Sequence, residues 1–192
     1  MNLNVAQKIF SRDRTCSPSQ AKIFKLISQR ECKAQERRSK EKGKEMKKAL
    51  LCIGNPMRGD DDVGNETGRI VEANLKDWRV FYGQDVPENE FGALREFAPG
   101  IIVVVDAMSG FKDGAIEFFD LSNERDYIYS THNLPTPVLL SYLRKICPKT
   151  LFLGISVLLE NVLDFKEGLS ENAKKSAQKA YERILEIDKN LK

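Results

Sequence analysis

From residue 46 onward, the hydrophobic positions fall into two alternating patterns along the chain. Continuous apolar runs, which are typical of strands covered on both faces, predict strands over residues 49–54 and 101–105. Segments rich in apolar residues predict two more strands, over residues 78–82 and 151–157. A shorter alternating run indicates an edge strand over residues 115–119. Apolar residues at helical spacing predict helices over residues 63–75, 87–97, 134–146 and 171–191. Strands that alternate with helices indicate one α/β domain with a mostly parallel sheet.

The first 45 residues lack this pattern. They carry 12 Lys and Arg against 5 Asp and Glu, whereas residues 46–192 carry 19 against 23. Their one apolar stripe spans residues 23–27, and residues 28–45 contain no large aliphatic or aromatic side chain. Such a charge run cannot bury enough apolar surface to offset its ordering entropy. We therefore predict a basic extension over residues 1–45, disordered or loosely helical, followed by a folded domain over residues 46–192.

Two other interpretations of the extension stay open. A basic segment of this kind also suits a nucleic acid or an acidic partner, although the acidic domain itself has no reason to bind phosphates. Alternatively, the reading frame extends too far upstream, because Met46 opens the sequence MKKALLCIG, which resembles an ordinary N-terminus that leads into a first strand. On that hypothesis, a chain that begins at Met46 is expected to fold and act, and loss of either property contradicts it.

The overall composition is that of a globular protein, with 41% apolar and 31% charged residues. No apolar run approaches the roughly 18 residues that a membrane span requires. The four cysteines form no Cys-x-x-Cys pair, which favours reduced thiols and a cytoplasmic protein.

Three unusual polar segments follow predicted strands, where ligands gather in open parallel sheets. The first is GNPMRGDDD at residues 54–62, whose three adjacent carboxylates favour a bound cation or open solvent. The second is Asp106, directly after the apolar run, and the third is His132, the only histidine in the chain. Each segment also has a purely structural interpretation. The aspartates would form a solvated acidic turn with a helix cap, Asp106 would be a cap or turn residue, and His132 would be a structural histidine.

Several familiar catalytic and binding motifs are absent from the sequence. It contains no GxGxxG or GxxxxGK[ST] loop for phosphates, no HExxH zinc motif and no GxSxG nucleophile elbow. Cys52 lies inside a predicted strand and Cys147 at a predicted helix end, so neither suits a nucleophile. The remaining candidate is a site of two carboxylates and one imidazole, which suits several divalent metals without selecting among them.

Five motifs, taken together and in this order, resemble the hydrogenase maturation endopeptidases, which remove a short C-terminal peptide from the large subunit of [NiFe]-hydrogenases. They are LCIGNPMRGDD at 51–61, Gly83 with PEN at 87–89, VVVDA at 103–107, THNLP at 131–135 and FLGI at 152–155. The resemblance runs from about residue 47 to the final helix. The THNLP and PEN forms look most like the hydrogenase 3 branch, which serves hydrogen-evolving hydrogenases of the formate hydrogenlyase type.

The resemblance implies a single three-layer domain, with a twisted, mostly parallel sheet of about five strands and helices on both faces. It implies catalytic and metal-site roles for Asp61, Asp106 and His132, which in this family are thought to engage nickel already installed in the large-subunit precursor. Nickel is then supplied by the partner rather than stored, and no organic cofactor is expected. We further expect a cytoplasmic monomer whose partner is that precursor, with neither nucleic acid nor membrane involved.

The chain departs from the family pattern at two places. Asp62 stands where the family has glycine, which predicts a strained left-handed turn. Residues 154–159 read GISVLL around Ser156, where relatives tend to have GIQP, which puts the fit of the substrate there in doubt. Metal-assisted and aspartic-type catalysis both stay open as mechanisms. The alternative function is a non-catalytic nickel chaperone or divalent-metal sensor.

Overall fold

The computed structural model describes residues 46–110, 112–119, 134–163 and 165–191. Contacts within the chain divide it into two units at Met46, and all described residues belong to the second unit. The predicted basic extension and His132 lie outside the described residues, so the statements about them stay predictions. Within the described part, no helix is both long and apolar enough to cross a membrane.

The described residues form one five-stranded sheet, which confirms the predicted α/β class. Its strands are β1 (Lys48–Ile53), β2 (Trp78–Gln84), β3 (Ile101–Met108), β4 (Ile116–Phe119) and β5 (Thr150–Ser156). The spatial order is β2-β1-β3-β5-β4, and all neighbours pair in parallel except the edge strand β4, which is antiparallel to β5. Every residue of β1 and β3 is buried, which explains why both produce nearly continuous apolar runs.

Helices cover both faces of the sheet. They are α1 (Val63–Asn74), α2 (Phe91–Phe97), α3 (Thr136–Ile146), α4 (Glu160–Leu163) and α5 (Glu171–Leu191). Apolar side chains of α1 and α5 pack on one face, and those of α2 and α3 pack on the other. The result is the three-layer arrangement that the family resemblance implies.

Three details differ from the sequence-based prediction. The predicted helix over 87–97 is a 3-10 turn at Pro87–Glu90 followed by the shorter α2, because tighter turns are common at helix N-termini. The four-residue α4 was not predicted, since it is too short to give a periodic pattern. Finally, β3 continues to Met108, so Asp106 lies within the strand and its interpretation as a cap or turn residue is wrong.

The strand order reverses at β1, because the chain moves from β1 outward to β2 and then returns to β3 on the other side. In open α/β sheets, ligands bind at the carboxyl ends of the strands beside such a switch point. Asp61 follows the carboxyl end of β1, and Asp106 lies near the carboxyl end of β3. The topology therefore brings both predicted carboxylates to the same edge of the sheet.

Gly64 allows α1 to pack directly on the ends of the two central strands. A Cβ atom at this position would lie 2.1 Å from the carbonyl oxygen of Ile53 and 2.9 Å from that of Val105. We expect Gly64→Ala to lower the free energy of unfolding by about 1–3 kcal/mol, because the backbones must move apart. The matched control is Gly92→Ala in α2, where a Cβ meets no atom within 4 Å and helix propensity predicts a gain of up to about 1 kcal/mol. Thermal denaturation compares the two variants, and equal melting temperatures contradict this packing.

Candidate active site

A tight turn carries three adjacent aspartates back against the end of β1. Gly54 has a φ of +145°, and a Cβ there would lie 2.1 Å from the carbonyl oxygen of Asp61, so this position requires glycine. Gly59–Asp62 forms a 3-10 turn in which all three carboxylates are buried, with 3%, 1% and 8% of Asp60, Asp61 and Asp62 exposed. The interpretation of this segment as a solvated acidic turn is therefore wrong.

The Asp60 carboxylate anchors the turn to the segment that precedes α5. It accepts hydrogen bonds from Asn161 Nδ2 at 2.7 Å, from the backbone N–H of Ser170 at 2.6 Å and from Ser170 Oγ at 2.8 Å. These three donors satisfy a carboxylate that would otherwise be costly to bury. Asp60 therefore holds the turn in place and is not available to a ligand in this arrangement.

The Asp62 carboxylate points to α1. It accepts a hydrogen bond from Asn65 Nδ2 at 2.7 Å, and its Oδ2 accepts hydrogen bonds from Nη1 and Nη2 of Arg69 at 3.0 and 3.1 Å. Its φ is −72°, an ordinary right-handed value, so the left-handed strain expected from the missing glycine is wrong. Asp62 occupies the N-cap position of α1, as the structural interpretation expects, but its side chain makes no capping hydrogen bond to the helix.

Asp61 is the aspartate that points to the edge of the sheet. Its Oδ2 accepts the backbone N–H of Asn55 at 2.8 Å. The side chain of Asn55 fixes this donor, because its Nδ2 donates to Asp85 at 2.7 Å and its Oδ1 accepts the N–H of Met57 at 2.8 Å. The Gly-Asn-Pro turn therefore orients the Asp61 carboxylate in advance of any ligand.

Asp106 lies on β3 directly opposite Gly154 of β5 and is 1% exposed. By strand alternation, it faces the side of the sheet that α2 and α3 cover. Burial and the nearby Asp61 carboxylate raise the pKa of Asp106 well above its ordinary range. The two acids are thus close enough to influence one another and differ in environment, which is the pattern of a pair that shares one proton or one cation.

The remaining predicted site residue, His132, lies outside the described residues, so no imidazole is placed beside the two carboxylates. Within the described ranges, no group of three or more His, Cys, Asp and Glu side chains is arranged to hold a metal ion. Cys52 and Cys147 are both buried and unpaired, and burial raises the pKa of both thiols. Thiols with a raised pKa are poor nucleophiles at neutral pH. This agrees with the sequence analysis, which excluded both cysteines as nucleophiles.

The segment that departs from the family pattern borders the same edge of the sheet. Ser156 pairs with Met108 on β3, two residues beyond Asp106. The Ser156 hydroxyl is buried and has no hydrogen-bond partner. Ser156 lines a small cavity together with Met108, Gly154 and Glu117. This segment therefore lies beside Asp106, and its effect on a substrate stays a prediction.

Sequence reasoning missed the supporting residues of the site. Asn55 was visible only as part of a turn signal, and its contact with Asp61 depends on how that turn folds back. Gly154 was noted only as part of the FLGI motif, and the sequence assigned it no structural role. The structure shows that a Cβ there would lie 2.1 Å from Met108 Sδ, so glycine leaves room for the methionine beside Asp106.

The fold and the site define an α/β protein with a buried pair of carboxylates at the switch point of its sheet. Comparison with known proteins agrees with this class. The chain is 31% identical to the Hydrogenase 3 maturation protease of Escherichia coli K12 over 142 residues, which cover 72% of this chain and 89% of that protein. No protein-family profile matches the chain.

Solved structures show the same relationship. A [NiFe] hydrogenase maturation protease from Thermococcus kodakarensis matches with a TM-score of 0.62 and 27% identity, over 74% of this chain and 92% of that one. An uncharacterized protein from Wolinella succinogenes matches with a TM-score of 0.66 and 59% identity, over 77% of this chain and 100% of that one. The chain belongs to the hydrogenase maturation proteases, and it is a peptidase that resembles the hydrogenase 3 branch of that family.

Proposed function

We propose that this protein is the endopeptidase that removes the C-terminal peptide from a [NiFe]-hydrogenase large-subunit precursor after nickel insertion. The observation that carries the proposal is the buried Asp61–Asp106 pair at the switch point, in a chain of the maturation protease family. The relatives are named for hydrogenase maturation, which gives the kind of partner. The removal of a C-terminal peptide and the recognition of nickel are the two further parts of this proposal.

The charge at the site supports recognition of a cation. Two carboxylates buried side by side raise the energy of their doubly charged form, and a divalent cation between them relieves this cost. Carboxylate oxygens and imidazole suit nickel among other divalent metals. In this proposal Asp61, Asp106 and His132 bind nickel that is already part of the precursor, so only a loaded precursor places its scissile bond at the site.

The same pair supports a second mechanism that uses the carboxylates alone. The raised pKa of Asp106 favours its protonated form, and the Asn55 N–H holds the Asp61 carboxylate in position. Asp61 then accepts a proton from the attacking water, and Asp106 donates its proton to the carbonyl oxygen of the scissile bond. When the resulting diol collapses, Asp61 passes its proton to the leaving nitrogen as the C–N bond breaks, and Asp106 takes back the hydroxyl proton. Nickel in this case orients the precursor without taking part in the bond cleavage.

Cleavage of nickel-loaded and nickel-free precursor by the wild-type protein tests the role of nickel. We expect the loaded precursor to be cut and the nickel-free precursor to remain intact, because the metal completes the recognition of the tail. The fraction of precursor that loses its C-terminal peptide is followed with time by intact-mass analysis. Equal rates on both forms remove nickel from the proposal and leave the aspartic-type pair.

The alternative function is a nickel chaperone or sensor without peptidase chemistry. It is favoured by two observations: neither described cysteine has the properties of a nucleophile, and the segment around Ser156 departs from the family pattern. Equilibrium nickel binding by the isolated protein separates the two functions. Tight binding without any cleavage supports the chaperone, and weak binding together with cleavage of the loaded precursor supports the peptidase.

We also expect the protein to be a monomer and to lie in the cytoplasm, where buried free thiols stay reduced.

A further inference from the structure

A cluster of exposed apolar side chains lies beside the candidate active site. We call it the apolar ledge, and its members are Met57, Leu158, Leu159, Leu163 and Phe165, which are between 42% and 80% exposed. It includes five of the nine large hydrophobic side chains that are exposed in the described part of the chain. Four of its members fall within the eight residues 158–165 after β5. Concentration of apolar surface in this way is typical of a site that binds another molecule.

Backbone contacts hold the ledge together. The N–H of Lys166 donates to the carbonyl oxygen of Met57 at 2.9 Å, which places Met57 beside the residue that follows Phe165. The guanidinium carbon of Arg58 lies 5.8 Å from the centre of the Phe165 ring, so the two segments are neighbours through their side chains as well. The ledge is therefore one surface formed by two segments of the chain.

The same contacts attach the ledge to the turn that carries Asp61. The N–H of Gly59 donates to the carbonyl oxygen of Lys166 at 2.6 Å, and Asn161 donates to the Asp60 carboxylate at 2.7 Å. A Cβ at Gly59 would lie 2.6 Å from the carbonyl oxygen of Asn161, so the turn and α4 approach each other as closely as backbones allow. The ledge thus has a fixed position relative to the carboxylate pair.

We propose that the apolar ledge binds the body of the hydrogenase large-subunit precursor while its C-terminal tail reaches Asp61 and Asp106. This inference rests on the proposed function. Continuity with the site identifies the occupant, because a protein whose tail lies between the carboxylates must cover the neighbouring surface. The Phe165 side chain, 80% exposed, and the Leu163 side chain, 64% exposed, are the members with most area left to bury.

A double variant, Leu163→Ser with Phe165→Ser, tests the ledge against a matched control. The control is Phe118→Ser on β4, an exposed aromatic residue that contacts Arg183 of α5 and lies outside the ledge. We expect the double variant to raise KM for nickel-loaded precursor by about tenfold or more and to leave kcat within about twofold, because it removes binding contacts without touching the reacting groups. The control is expected to keep both constants.

An unchanged KM in the double variant overturns the proposed role of the ledge, as does a loss in kcat alone.

Sedimentation of the wild type and the double variant adds a second readout. A wild-type dimer that the double variant dissociates, with KM unchanged, assigns the ledge to a second copy of the chain and also overturns the proposal. Leu163→Ser alone replaces the double variant if the latter melts early. A wild type that leaves loaded precursor uncut is a failure of the proposed function, whereas wild-type cleavage with an unaffected ledge variant is a failure of the ledge alone.

Discussion

The Asp106→Asn variant is expected to lose at least about 100-fold in precursor processing and yet to unfold at a higher temperature than the wild type at neutral pH. The amide has nearly the shape of the carboxyl group but neither donates an acidic proton nor binds a cation strongly. At the same time, it removes an acid that burial and Asp61 make unfavourable to ionise. Each kcal/mol gained corresponds to a rise of about 2–4 °C in Tm for a chain of this size.

The gain in stability of the Asp106→Asn variant is expected to depend on pH. The pKa of Asp106 is higher in the folded state than its ordinary value of 3.8, which applies to the unfolded chain. The protonated Asp106 therefore contributes fully to the free energy of unfolding below pH 3.8, and this contribution is lost as the pH rises through the folded-state pKa. The Asn variant has no such group. The difference in unfolding free energy, variant minus wild type, is therefore expected to increase as the pH rises from below 4 toward neutrality. Chemical denaturation at several pH values measures it, and a difference that stays constant contradicts the raised pKa.

The Asp188→Ala variant is expected to lose about 3–5 kcal/mol of stability, because it leaves a buried ammonium group unpaired. Lys48 Nζ lies 2.5 Å from Asp188 Oδ1, and their side chains are only 5% and 3% exposed. The same oxygen accepts the indole N–H of Trp78 at 2.9 Å. This network joins the end of α5 to the first residues of β1 and β2, at the end of the sheet opposite the carboxylate pair.

Trp78 makes this loss easy to measure, because it is the only tryptophan in the chain and is 5% exposed. Its fluorescence follows unfolding, and the expected loss corresponds to a fall in Tm of about 6–20 °C. The control is the double variant Lys48→Met with Asp188→Leu, which removes both charges and is expected to recover most of the stability. A loss below about 1 kcal/mol in Asp188→Ala, or a double variant no better than the single one, contradicts the role of the buried pair.

The core elements were predictable because their signals are local. β3 begins with five β-branched residues, and α5 was placed at residues 171–191 from its apolar spacing alone. The meeting of Asp61 and Asp106 was predictable for a different reason, since parallel strands bring their carboxyl ends to one edge. In each case the prediction needed only the strand pattern and a general rule of sheet topology.

The supporting contacts of the site were not predictable, because they depend on how the turn folds back against its neighbours in space. Asp60 and Asp62 look the same as Asp61 in the motif, but their roles follow from Ser170, which is 110 residues away, and from Arg69 on the outer part of α1. The right-handed backbone of Asp62 likewise depends on the 3-10 turn that contains it. Adjacent residues in one turn point in different directions, and only the packing of the turn decides which one faces the site.

Intact-mass analysis of nickel-loaded precursor, incubated with the Asp61→Asn or the Asp62→Asn variant, tests whether the Asp61–Asp106 pair is the site of cleavage. These neighbours have the same chemistry, but Asp61 belongs to the carboxylate pair and Asp62 is bound to Arg69. We expect Asp62→Asn to release the C-terminal peptide at nearly the wild-type rate and Asp61→Asn to leave the precursor at full mass. Processing by Asp61→Asn at the wild-type rate would contradict the assignment of this pair as the site of cleavage.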